Sequence, residues 1–256
     1  MGTTRSVNSY LSWPRSNPDA KMRLFCFPYA GGGAHVYHPW LPLLPASIEF
    51  CAINLPGRGT RIGEAPHSDC ESLAKAITTE LRSYVDKPFV FFGHSMGAIV
   101  CYEVARHLRA AGSRLPDHLF VSGCHAAHIP DPHPIHHLPK DEFLVELAAL
   151  GGLPQEVLNS KELMDLILPG ILADFTLVES YPYSNQPPLD CPIYALGASE
   201  DHLVTNEQLE AWNLHTTAGF KWKVFPGNHF FIHDTRETLV NLILQEVELA
   251  PVSTSR

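Results

Sequence analysis

The stretch from Phe89 to Val100 constrains this chain more than any other. Phe89, Val90, Phe91 and Phe92 form an apolar run of strong β preference that stops at Gly93, and Ile99, Val100, Val104 and Leu108 then recur at helical steps. Between the two lies Gly93-His94-Ser95-Met96-Gly97, a G-x-S-x-G sequence joining a strand to a helix. Such a sharp turn holds its serine in a strained backbone conformation. A side chain at Gly93 or Gly97 would strike the neighbouring strand or helix. The turn lifts the Ser95 hydroxyl clear of a sheet and sets it at a helix N-terminus, where amide donors and the helix dipole favour a developing oxyanion. Ser95 is therefore expected to be a nucleophile.

Further strands are predicted at 23–27, 48–55, 119–122, 194–197 and 221–225, with amphipathic helices at 69–85 and 235–248. Strands alternating with helices imply an α/β fold with a mostly parallel central sheet, right-handed crossovers and flanking helices. Residues 1 to about 20 are polar and Pro-punctuated, with Tyr10, Leu11 and Trp13 as apolar contacts, and suit a short edge strand. The interval 125–190 is too long for an ordinary connection. Helical apolar spacing at 141–150 and 160–181 follows a stretch broken by Pro130, Pro132, Pro134 and Pro139. This reads as a helical lid inserted at the active-site edge of a single domain spanning 1–256. Gly151-Gly152 and Pro169-Gly170 are its expected joints, and Phe143 and Phe175 are candidates to line an acyl pocket beneath it.

A net charge of −9 argues against nucleic acid, and the 45% hydrophobic residues supply a sizeable core. The six cysteines are scattered, several of them in apolar runs, which indicates buried free thiols in a reducing, cytoplasmic compartment. No signal peptide and no apolar run of membrane-spanning length is present, so no membrane association is expected. Met1 to Ser6 formally fits an acylation pattern that is not expected to be used.

A serine hydroxyl needs a base, and the base needs an orienting acid. Beyond the elbow, the strand at 194–197 ends in Ala198-Ser199-Glu200-Asp201-His202, and the strand at 221–225 ends in Pro226-Gly227-Asn228-His229. The order Ser, acid, His is that of α/β-hydrolases. Asp201 is the chosen acid, with Glu200 as its competitor. His229 is the chosen base, with His233 one helical turn on. The loop Pro28-Tyr29-Ala30-Gly31-Gly32-Gly33 lacks the Gly-Lys-Ser/Thr of a phosphate-binding loop. In an α/β-hydrolase it would carry the second oxyanion-hole amide, which assigns the N–H groups of Ala30 and Met96. Arg58 and Arg61 suit either an anionic group or surface carboxylates. His125, His128, His133, His136 and His137 lack metal-site spacing, so no metal is expected and pairing with solvent is the simpler account. Cys101 and Cys124 read as core thiols rather than nucleophiles.

With these residues assembled, the chain resembles the type II thioesterases that accompany modular polyketide synthases and nonribosomal peptide synthetases, from about residue 22 to 245. Phe27-Pro28-Tyr29-Ala30-Gly31-Gly32, Pro56-Gly57-Arg58 and the elbow are similar to family motifs, as are Leu138 to Leu144 and Leu168 to Phe175. Two departures are Tyr29, where a histidine is usual, and His202, where proline usually follows the acid. The resemblance implies hydrolysis of aberrant or stalled acyl groups from the phosphopantetheine arm of acyl- or peptidyl-carrier proteins, by a cytoplasmic monomer needing no cofactor of its own. The alternatives are a chain-releasing thioesterase or a small carboxylesterase acting on a free acyl substrate. A non-catalytic hydrolase-fold receptor is disfavoured, because no member of the triad is missing.

Overall fold

The computed structural model describes residues 9–249, so the Met1–Ser6 pattern lies outside the described residues. Seven strands form one sheet: β1 (Leu11–Arg15), β2 (Met22–Phe27), β3 (Ile48–Ile53), β4 (Phe89–His94), β5 (His118–Ser122), β6 (Ile193–Ala198) and β7 (Phe220–Phe225). Their order is β1-β3-β2-β4-β5-β6-β7, parallel throughout except for β1, which runs antiparallel to β3. The fold is α/β with helices on both faces, as the alternation of strand and helix patterns predicts.

Strands β3 and β4 are buried along their whole lengths, as parallel strands covered on both faces must be. The two edges are handled differently. At one edge, β1 carries Pro14 and shifts register between Ser12 and Arg15. At the other, β7 exposes Lys221, Trp222 and Lys223. Both devices discourage edge-to-edge pairing with another chain.

One face is covered by α1 (Cys70–Leu81), capped by Asp69, and α2 (Met96–Ala110), which bury Leu73, Ile77, Val104 and Leu108. The other face is covered by α8 (Arg236–Leu249) and by a 3₁₀ segment at Ala34–Leu43. Val36, Tyr37 and Trp40 of that segment are buried with Leu239, Val240 and Ile243 of α8. The segment contains Pro39 and Pro42, which hide it from a search for helices. It also supports the site, because the Tyr37 hydroxyl donates to Phe27 O at 2.7 Å, at the end of β2.

Between β5 and β6 stand α3 (Lys140–Leu150), α4 (Gln155–Leu158) and α5 (Lys161–Glu179), with α6 (Asn206–Glu210) and α7 (Phe231–Asp234) after β6 and β7. Phe143, Leu147, Met164 and Ile171 form a small core of this helical layer. The Pro169-Gly170 joint expected from the sequence is not a joint. Pro169 lies inside α5, which continues to Glu179. Proline removes one main-chain bond there, but packing holds the turn: a Cβ at Gly170 would lie 3.0 Å from Gly57 O. Gly151 does end α3, at φ 75°.

His215, 3% exposed, is buried among the rings of Tyr102, Trp212 and Tyr183. Its Nδ1 meets the Tyr102 hydroxyl at 3.0 Å and its Nε2 meets His128 Nδ1 at 2.8 Å. Burial lowers its pKa from 6.5 to about 4. The unfolded chain therefore binds this proton at a higher pH than the native one. The stabilisation is full above about pH 6.5 and is lost as the pH falls toward about 4. Between pH 7 and pH 5, His215→Phe is expected to lose about 1–2 kcal/mol less stability than wild type in urea titrations. Equal losses would contradict the buried neutral imidazole.

Candidate active site

The strand order reverses at β2 and β4, and the loops leaving these two strands flank the crevice where such sheets hold ligands. The elbow leaves β4. Ser95 has φ 53° and ψ −122°, and it is the only non-glycine with positive φ among the described residues. A conformation of this kind costs of order 1–3 kcal/mol. It is held by Ser95 N–H to Ser122 O at 2.7 Å and Ala98 N–H to Ser95 O at 2.8 Å. Close packing requires both elbow glycines. A Cβ at Gly93 would lie 2.1 Å from Gly97 O, and one at Gly97 would lie 2.2 Å from Phe27 O.

The loop after β6 is set by a reciprocal cap on α6, in which the Thr205 hydroxyl accepts from Gln208 N–H and the Gln208 side chain accepts from Thr205 N–H. Upstream of that cap, the Asp201 side chain is fully buried, with Oδ1 accepting from Leu203 N–H at 2.9 Å and Oδ2 2.8 Å from His229 Nδ1. Glu200 is exposed, so the carboxylate that meets His229 is Asp201. With Nδ1 engaged, Nε2 is the position at which His229 can take a proton. His233, the competing base, instead meets the Tyr29 hydroxyl through Nε2 at 3.1 Å, and burial lowers its pKa.

Ser95, Ala30, Met96 and His229 all line one cavity of about 520 Å3. The N–H groups of Ala30 and Met96 donate to no main-chain acceptor among the described residues. The arrangement brings together a strained serine, two available amides and an imidazole aligned by a buried carboxylate, the components of acyl transfer. Leu150, Phe175 and Val178 of the helical layer form the apolar side of the cavity. Phe143 is corrected: it is 2% exposed in the core of that layer, edge-on to Phe175 at 5.5 Å between ring centroids, and does not line the cavity. It lies behind Phe175 because the apolar faces of α3 and α5 turn toward each other. Phe175→Trp is accordingly expected to shift acyl chain-length preference severalfold. Phe143→Trp should instead lower the melting temperature through overpacking of about 1–3 kcal/mol with little change in preference. Chain-length profiles and thermal melts of both variants check this, and the reverse pattern would contradict it.

Contacts resolve three further readings. Solvent accounts for only part of the histidine cluster: His133 and His137 are exposed, whereas Glu179 accepts from His136 at 2.7 Å and His128 pairs with His215. Arg58 faces neither a ligand nor the surface, since it is paired with the buried Asp174 of α5 at 2.5 and 2.6 Å. Arg61 follows the surface-carboxylate alternative: it pairs with the partly exposed Glu64, donates to Asn54 O and lies over the Tyr10 ring. Among the described residues, only Glu71, Glu103 and His107 bring three possible metal ligands together. They lie on α1 and α2, and Glu103 is engaged by Arg106.

Two site residues escape the sequence reading. Gly123, at φ 56°, ends β5 where a Cβ would lie 2.6 Å from His94 Cε1 and 3.3 Å from His229 Cε1. Asp174 carries a signal that was available: a carboxylate three residues from Ile171 and from Leu177, on the apolar face of its helix. Burial pushes its pKa up, against the opposing pull of Arg58.

Residues 22–246 match the thioesterase domain model. The chain belongs to the thioesterase family. It is a thioesterase, a serine hydrolase that cleaves acyl–sulfur bonds. This thioesterase is 40% identical over 244 residues to the gramicidin S biosynthesis protein GrsT of Aneurinibacillus migulanus, covering 95% of each chain. It is similar to the solved type II thioesterase BorB from the borrelidin biosynthetic cluster, with 34% identity and a TM-score of 0.85 over 95% of this chain and 99% of that one. The human medium-chain S-acyl fatty acid synthase thioesterase is 33% identical over 249 residues, covering 93% of this chain and 91% of that one. No helix among the described residues of the thioesterase is long and apolar enough to cross a membrane.

Proposed function

We propose that this thioesterase is an editing enzyme of the type II class, which hydrolyses aberrant or stalled acyl groups from the phosphopantetheine arm of carrier proteins in peptide or polyketide synthesis. The reading is carried by the shared cavity, which Ser95 and the Asp201-aligned His229 both line beside a helical layer. Its substrate class is supported by near full-length similarity to proteins of gramicidin S biosynthesis and of the borrelidin cluster.

His229 Nε2 takes the Ser95 proton as Oγ attacks the thioester carbon, and the amides of Ala30 and Met96 hold the oxyanion. The tetrahedral intermediate collapses, the C–S bond breaks, and His229 returns the proton to the leaving sulfur. Water then attacks acyl-Ser95 with His229 again as base, which releases the acid. Asp201 keeps the imidazole in the required tautomer and stabilises the imidazolium. No cofactor enters these steps, because the pantetheine arm arrives on the partner. Residues 125–190 act as the lid, with Phe175 over the acyl chain. The enzyme works as a monomer in a reducing cytoplasmic setting, which the six buried free thiols support.

Similarity to the fatty acid synthase enzyme favours one second reading, release of finished medium-length chains. A carrier protein loaded with an acetyl group separates the two. An editing enzyme restores the carrier to the mass of its free-thiol form, whereas a chain-releasing enzyme leaves acetyl in place and cleaves only long chains. Failure to remove acetyl would overturn the editing reading.

A further inference from the structure

The buried pair of Arg58 and Asp174 joins three parts of the molecule that the reaction has to keep in register. Asp174, on α5 of the helical layer, is 2% exposed. Its Oδ1 accepts from Arg58 Nη2 at 2.6 Å, and its Oδ2 accepts from Arg58 Nη1 at 2.5 Å and from Gly31 N–H at 2.7 Å. Arg58 Nη1 also donates to Gly32 O at 3.0 Å. One carboxylate thus binds the α5 helix, the Pro56-Gly57-Arg58 loop and the loop that follows Ala30.

The geometry of that last loop makes the contact consequential. Gly32 N–H donates to Tyr29 O at 2.9 Å and Gly31 has φ 77°, so Tyr29 to Gly32 is a turn with a left-handed residue at its third position, the type II pattern. In this turn the central peptide joins Ala30 to Gly31, and its N–H is the one Asp174 accepts. Burying a carboxylate and a guanidinium costs several kcal/mol per ion before their attraction is counted, and an apolar pair often packs as stably. Packing alone therefore does not call for an ion pair at this place.

We infer that Asp174 is a positioning residue for the oxyanion loop, anchoring Gly31 N–H and, through Arg58, Gly32 O from the helical layer, so that the turn that carries the Ala30 amide keeps its place beside Ser95 only when α5 is seated. The inference rests on the roles of Ser95 and Ala30 proposed above. Seating of the helical layer and competence of the oxyanion hole become one event: displacing α5 withdraws the acceptor from Gly31 and frees the turn, and Ala30 with it, to shift.

The test compares two double variants, because Asp174→Ala alone leaves Arg58 buried and unpaired and risks misfolding. Arg58→Met with Asp174→Leu replaces the ion pair by apolar side chains and leaves Gly31 N–H without an acceptor. Arg58→Met with Asp174→Asn also removes the pair but retains an amide oxygen for Gly31. The readouts are thermal melting, kcat and KM on an acyl-pantetheine, and affinity for a trifluoromethyl ketone that mimics the tetrahedral intermediate. The Leu form is expected to lose roughly 10-fold or more in kcat, toward the ~10²–10³-fold cost of deleting an oxyanion donor. Its ketone affinity should fall in parallel with kcat/KM, while KM stays within about threefold. The Asn form should recover most of both. Equal kcat in the two forms, or a Leu form within about threefold of wild type, would overturn the positioning role. Fluorophosphonate labelling of wild type at Ser95, measured first, tests the underlying reading separately: no labelling there removes the nucleophile itself, whatever the Asp174 variants do.

Discussion

Ser95→Ala is expected to abolish thioester turnover and covalent labelling by a fluorophosphonate, with a loss on the order of 10⁵–10⁶ in kcat, while the fold survives. Two features separate this residue from an incidental serine. It is held at φ 53°, which an L residue adopts only when its surroundings impose it. It also opens α2 beside the cavity that His229 lines. Alanine removes the nucleophilic oxygen but keeps the hydrogen bonds from Ser95 N–H and to Ser95 O, which are main-chain. Thermal melting should therefore move little. Persistent labelling of the variant, or turnover within a hundredfold of wild type, would remove Ser95 from the mechanism.

Asp201→Asn carries the second largest expected effect, a loss of about 10⁴ in kcat. The Asp201 side chain is fully buried and its Oδ2 lies 2.8 Å from His229 Nδ1. The neutral amide removes the charge that stabilises the imidazolium and can hold the ring in the wrong tautomer, with the proton on Nε2 facing the serine. Glu200→Gln alters an exposed side chain one residue away and should leave kcat within a few-fold. Side-by-side kinetics of the two variants, with KM measured in each, decide between neighbouring carboxylates. A more damaging Glu200→Gln would mean that the loop rearranges in solution and that the His229 partner is misassigned.

How much of this was legible in the sequence depends on the range of the interaction involved. The elbow was readable because its constraints are local: a strand, a turn needing two glycines and a helix lie within twelve consecutive residues. The order of Asp201 and His229 was readable because each follows an apolar strand directly. Parallel strands and helices that cover them announce themselves by period, and β2 to β7 were found close to their observed ends. The strand expected at 48–55 ends at Ile53, where pairing with β1 and β2 stops, and the 69–85 helix tightens to a 3₁₀ turn after Leu81. The Ala34–Leu43 segment is broken by Pro39 and Pro42 and does not read as a helix. What the sequence hid are contacts between distant segments. Nothing near Arg58 announces that its partner is Asp174, 116 residues away. Phe143 and Phe175 have equivalent patterns, and only the facing of α3 against α5 decides that one lines the cavity and the other supports it. His136 and His128 find partners for the same reason: Glu179 and His215 reach them through the fold, from the end of α5 and from the stretch before β7.

The central claim is that the acyl group is taken from a carrier protein rather than from a free small molecule. The measurement that tests it most directly is kcat/KM for one short acyl group presented in two ways, on the phosphopantetheine arm of an intact carrier protein and on pantetheine alone. The expected result is a preference of at least roughly tenfold for the carrier, equivalent to about 1.4 kcal/mol of additional transition-state binding from protein contacts, with Ser95→Ala inactive on both. Equal values, or a preference for the free thioester or for a simple oxygen ester, would contradict the claim and leave a small-molecule esterase in its place.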